Sequence, residues 1–176
     1  MILDAVLLAY LGISVYTDLK YRKVYNAAAI AAVILGAGLN CGYYGLSGLW
    51  ISFTGIITGF AMLIAFYLLG GLGAGDVKFM AAVGCVKGAE FVLLGGLYGA
   101  VIGGLAGVIV LIAQKRLWKT LNVIFIALFV FLKFRRPQAL KFETGNATYM
   151  PYTVFLSAGM LLRLSGMDYF LSGLTR

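Results

Sequence analysis

In 176 residues the sequence has no histidine, two cysteines, two prolines and six acidic residues. Each scarcity excludes something. Without histidine, and with Cys41 and Cys85 in no Cys-x-x-Cys arrangement, zinc, haem and iron–sulfur centres have almost no ligands to draw on. No metal and no cofactor is therefore expected. The two thiols read as packed side chains rather than as a disulfide. Serines are present, but none has a histidine to serve as its base, which counts against a serine hydrolase. Charge is scarce as well: 11% of residues are charged, against about 25% in soluble domains.

What is abundant is apolar. The chain is 62% hydrophobic, with a mean hydropathy of +1.00. These values describe an integral membrane protein of one domain, residues 1–176, with an all-α polytopic fold. The opening "MILDAVLLAYLGISVYTD" has no basic stretch before its apolar run and no small-residue cleavage site. It reads as a retained first span rather than a secretory signal. The net charge of +8 would suit nucleic acid elsewhere, but here the basic residues sit in short loops between apolar runs. There they set topology, and no nucleic-acid partner is expected.

A crossing helix needs about 20 apolar residues. Candidate segments cover roughly 2–17, 26–43, 49–71, 76–87, 89–113 and 151–170. A further apolar stretch, 120–132, has basic residues on both sides and reads as an interfacial or re-entrant helix within a cytoplasmic 114–150 segment. Six crossings with the N-terminus outside gather eleven of the fourteen basic residues on the inner face. Glycines recur every four positions at Gly95, Gly99, Gly103 and Gly107, and again at Gly55 and Gly59. Such ridges let helices approach closely in lipid, so both segments are expected to pack tightly.

Among the acids, Asp4, Glu90 and Asp168 fall near outer helix ends and Glu143 in a polar loop. Asp18 and Asp76 remain. Asp18 ends the first segment and Asp76 starts the fourth, so two crossings bring both to one face. An acid against apolar helices is a functional candidate by default. The plain alternative is that each caps a helix or pairs with a nearby lysine. Gly73 and Gly75, just before Asp76 in "GGLGAGDVKF", remove side chains where a second backbone could approach. Two carboxylates in reach of one another share a proton, and one can activate water while the other polarises a carbonyl. That chemistry suits aspartic-type peptide hydrolysis.

These residues resemble a known family. "GAGDVKF", with Gly73, Gly75, Asp76 and Lys78, is similar to the Gly-x-Gly-Asp-x-Lys signature of the type IV prepilin peptidases, which are intramembrane aspartic proteases. "DLKYRKVYN" resembles their Asp-x-x-x-Arg-x-Ile-Pro-Asn motif through Asp18, Arg22, Val24 and Asn26, with Tyr25 in place of proline. "MPYTVFLSAG" resembles a late element of the family through Pro151, Tyr152 and Gly159. The resemblance implies that Asp18 and Asp76 are the catalytic pair. It implies a prepilin-like or preflagellin-like precursor as partner, cut at the cytoplasmic face to release a short basic leader. The chain resembles the short, peptidase-only members of Flp/Tad-type pilus systems and archaea, so no methyltransferase domain or activity is expected.

Around that pair, Lys78 tunes the acids, anchors the loop or snorkels to the interface. Arg22 orients the first loop or sets topology, and Asn26 is expected to cap the second segment. Pro151 and Tyr152 shape the start of the last segment or pack in the core. The basic loop 133–141 suits anionic lipid. Self-association as a homo-oligomer stays open. Two other functions compete: a transporter or channel subunit using the acids as a cation or proton site, and a non-catalytic scaffold. No internal repeat supports the first, and the second has no need of two acids.

Overall fold

The structure, a computed structural model, describes residues 1–68, 72–115, 118 and 151–166. These residues form six helices: α1 (Ile2–Tyr21), α2 (Asn26–Tyr44), α3 (Leu46–Leu68), α4 (Ala74–Lys87), α5 (Ala89–Ala113) and α6 (Tyr152–Leu164). The expected all-helical architecture agrees with these elements. By length and composition α1, α2, α3 and α5 can cross a membrane. The 14-residue α4 and 13-residue α6 fall short of a full crossing. The expected interfacial helix at 120–132, the basic loop 133–141 and Asp168 lie outside the described residues.

Helix boundaries differ from the sequence reading at four ends, one of them that of α6, which closes at Leu164 rather than near 170, with Gly166 at φ 73° just after it. The first helix continues one turn past Asp18, because nothing apolar has to stop it before Arg22 takes a left-handed conformation (φ 54°). The third begins at Leu46 rather than near 49, directly after Gly45 ends α2 with φ 60°. The fourth begins at Ala74, so Asp76 sits inside its first turn.

The short α4 lies at the centre and touches each of the other five helices. Val77, Phe79, Met80, Ala82, Val83, Cys85 and Val86 are all buried, so almost every face of α4 is covered. Backbone proximity makes this possible. A methyl group on Gly55 would strike the carbonyl of Gly84, and one on Gly84 would strike that of Gly55. On the other side of the bundle, Gly95 and Gly99 of α5 meet Met160 and Leu156 of α6. The expected glycine ridge holds for Gly55, Gly59, Gly95, Gly99 and Gly103, but Gly107 meets no neighbour among the described residues.

Polar ties fix the rest. Asn40 of α2 donates through Nδ2 to Ser52 Oγ on α3 and to the Cys85 carbonyl on α4, both at 3.0 Å. Tyr10 of α1 stacks on Phe79 of α4 at 5.6 Å between ring centroids. One end of the bundle is closed by two ion pairs, Lys87 with Asp4 at 2.8 Å and Arg163 with Glu90 at 2.9 Å. Cys85 is buried as expected. Cys41 is exposed on α2, so only one thiol is packed; an apolar thiol needs no polar partner on an outward face.

Candidate active site

At the end of the bundle opposite those ion pairs, α1 finishes and α4 and α6 begin. Asp18 lies in the last full turn of α1 and is 5% exposed. Asp76 lies in the first turn of α4 and is 9% exposed. Both therefore lie where the end of α1 meets the start of α4. The far ends set this level. The Asp4–Lys87 pair pins α1 against α4, and about 21 Å of helix then separates Asp4 from Asp18, against about 16 Å from Lys87 back to Asp76. Antiparallel helices of those lengths bring both acids to nearly the same depth.

Asp76 is held by two donors. The Gly73 N–H reaches Oδ2 at 3.3 Å, while the Asp76 N–H donates to the Gly73 carbonyl at 3.1 Å. This reciprocal link closes the N-terminus of α4 and satisfies helix donors that have no partner within the helix. The Thr153 hydroxyl donates to Oδ1 at 3.0 Å from the first turn of α6. Thr153 is wholly buried. Among the described residues no third acidic or thiol side chain joins the pair.

The two glycines before Asp76 differ. Gly73 is exposed, and a methyl group there would meet only Asp76 Oδ2 and the Gly75 nitrogen. Gly75 lies within α4, where a methyl group would make ordinary van der Waals contact with Val24, 3.4 Å away in the turn between α1 and α2. Gly73 therefore leaves backbone open beside the acid, and Gly75 sits against the turn that carries Val24. Arg22 ends α1 in the left-handed region, its N–H donating to the Asp18 carbonyl at 2.9 Å. That turn directs the chain into α2.

Asn26 does not cap α2, as the sequence reading expected. Tyr25 occupies the cap with no side-chain bond, and Asn26 is the first helical residue. Its Oδ1 instead accepts from Lys78 Nζ at 3.1 Å, tying the start of α2 to the start of α4. The side chain cannot serve both partners, and the cation takes it. Pro151 caps α6 and its carbonyl accepts from the Val154 N–H at 3.1 Å, while Tyr152 is 37% exposed. The residue of this segment that reaches the acid is Thr153, which the sequence reading missed. Its only advance signal was a hydroxyl four residues before another, Ser157, on an apolar helix.

Apolar helices converging on two buried carboxylates at one end define a class: a multi-pass membrane protein with a paired-acid centre. The family model of the type IV leader peptidases matches residues 5–108, more than half of the chain, and the protein belongs to that family of peptidases. The match takes in Asp18 and Asp76 and ends before α6, so Thr153 lies beyond it. Comparisons with curated proteins and with solved structures gave no match.

Proposed function

We propose that the protein is an intramembrane aspartic endopeptidase that removes the short basic leader from prepilin-like precursors carrying class III signal peptides. The observation that carries this reading is that Asp18 and Asp76, from helices with two others between them in the chain, are both buried at one end of the bundle. In this reading Asp18 and Asp76 are catalytic. Gly73, Gly75, Arg22, Asn26, Lys78, Pro151 and Tyr152 shape the site, together with Thr153. Residues 1–176 act as one membrane-embedded peptidase domain.

The orientation proposed is six crossings, four by long helices and two by the short α4 and α6 packed among them, with the N-terminus outside and the acids at the cytoplasmic face of the inner membrane. Charge supports it. Lys20, Arg22, Lys23, Lys78 and Lys115 fall at the acid end. At the other end Lys87 and Arg163 are each neutralised by a carboxylate. Positive charge accumulates on the cytoplasmic side of membrane proteins.

The precursor's apolar stretch lies in the membrane as a helix and unwinds at the cleavage point. Its backbone rests against the exposed Gly73. One carboxylate takes a proton from water as the oxygen adds to the scissile carbonyl, and the other acid protonates the carbonyl oxygen. The tetrahedral adduct then collapses. The carbon–nitrogen bond breaks, and the leaving amine takes a proton from the pair. Neither aspartate is assigned a fixed part, because such a pair titrates as a unit. No cofactor takes part. A closing motion on substrate binding completes the geometry.

The test is cleavage of a precursor with a basic leader ending in glycine, followed by mass, with purified protein in liposomes. Wild type is expected to cut once, and Asp18→Asn and Asp76→Asn to abolish cutting with the fold intact. Activity persisting in either variant would sink the pair and direct attention to ion flux.

A further inference from the structure

Two ladders of hydroxyl-bearing residues lead away from the acids into the bundle. On α1, Tyr10, Ser14 and Asp18 are spaced four apart and are 3%, 0% and 5% exposed. On α6, Thr153 and Ser157 are spaced four apart and are also buried. Four-residue spacing stacks side chains on one helix face. The two helices are in contact and run in opposite directions. Ser14 and Ser157 therefore each stand one turn deeper than the acids, and Tyr10 one turn deeper again.

The hydroxyls on these ladders divide into two kinds. Thr153 is engaged by Asp76. The hydroxyls of Tyr10, Ser14 and Ser157 are fully covered and find no hydrogen-bond partner among the described residues. Tyr10 and Ser14 are near enough to influence one another, but not in bonding geometry. A serine or threonine in an apolar helix ordinarily bonds to a carbonyl one turn back. Thr17, Thr54 and Thr58 do so; Ser14 and Ser157 do not. Buried polar groups are nearly always satisfied, by protein or by ordered water.

We infer that Tyr10, Ser14 and Ser157 form a binding site for water inside the bundle, one to two turns beyond the acids, which feeds the hydrolysis. Chemistry selects the ligand. Each hydroxyl both donates and accepts, none is charged, and a buried water needs two to four such partners. An apolar guest would leave all three hydroxyls unpaired. Peptide hydrolysis consumes one water for each bond cut, and both acids are largely buried, at 5% and 9% exposure. The supply role rests on the peptidase reading above; the water site itself does not.

Radical footprinting separates the two. A brief X-ray pulse makes hydroxyl radicals from bound as well as bulk water, and these oxidise adjacent side chains. In micelles the buried Tyr10 is expected to be oxidised while the equally buried Met80, packed on the α3 and α5 side, is not. Exposed Tyr16 reports bulk labelling. In the Ser14→Ala/Ser157→Ala variant the Tyr10 signal is expected to fall to the level of Met80, with Tyr16 unchanged. A Ser157→Thr variant, which keeps the hydroxyl, should retain the signal and guards against a folding defect. An unlabelled Tyr10 in wild type, or a label unchanged in the double variant, overturns the water site. The double variant should also lower kcat about tenfold at constant KM, the loss of roughly one hydrogen-bonded contact. An unchanged kcat overturns the supply role. If wild type cuts no precursor, the proposed function fails, and the footprint still decides the site.

Discussion

Thr153 donates its hydroxyl to Oδ1 of Asp76 at 3.0 Å, while the Gly73 N–H reaches Oδ2 of the same carboxyl at 3.3 Å. One carboxyl group is thus gripped at both oxygens, from the beginnings of two different helices. Its orientation depends on how α6 sits against α5, because α6 delivers the hydroxyl and packs chiefly along α5.

Thr153→Val tests the grip. Valine keeps the shape and removes the donor. A hydrogen bond to a charged group contributes about 1.5–3 kcal/mol. If the held orientation is the reactive one, kcat should fall roughly 10- to 100-fold. KM should hardly change, because Thr153 is wholly buried and out of reach of the precursor. Thr153→Ser should recover most of the rate. Steady-state cleavage kinetics decide the matter: a raised KM at constant kcat would remove the positioning role.

Two glycines of one ridge should behave oppositely. A methyl group on Gly99 would lie 2.8 Å from Leu156 Cα and 3.0 Å from the Phe155 carbonyl, whereas one on Gly107 would meet nothing within 4 Å among the described residues. Gly99→Ala should push α6 away, lowering stability by about 1–3 kcal/mol, as overpacking does, and weakening activity by shifting Thr153. Gly107→Ala should be neutral or stabilising by up to about 1 kcal/mol, from backbone entropy alone. Unfolding in micelles measures both. Equal losses would mean that Gly107 packs on something in the membrane.

The sequence carried much of this arrangement and failed where contacts span helices. Apolar runs located all six helices, because burial in lipid demands long unbroken stretches. Asp18 and Asp76 stood out because an acid is costly beside apolar helices. Gly107 could not be told from Gly99, since a four-residue repeat fixes a face but not where the neighbouring helix ends. Asn26 looked like a cap by type, yet its partner was Lys78, in the first turn of α4. Thr153 was passed over for its neighbours Pro151 and Tyr152. A single hydroxyl on an apolar helix gives no hint of its partner until α4 and α6 are placed together.

The Lys78–Asn26 bond should act as one unit. It joins the start of α4, which carries Asp76, to the start of α2, which follows the turn after Asp18. Asn26→Ala and Lys78→Met should each slow cleavage a few-fold, and the double variant should be no slower than the worse single one. Such non-additivity identifies a shared contact. Independent, additive losses would leave Lys78 as a simple interfacial cation.

In the proposed mechanism one acid of the pair carries a proton while the other does not, and this ties the rate to pH. If cleavage runs through that singly protonated form, kcat/KM should trace a bell, falling as the form runs out on either side. Lys87→Met is the control. Lys87 sits at the opposite end of the bundle, paired with Asp4, and losing it should leave both limbs in place. A profile flat from about pH 5 to about pH 9 would mean that no shared proton is used. A limb that moves with Lys87 would mean that the far ion pair, rather than the acids, sets the titration.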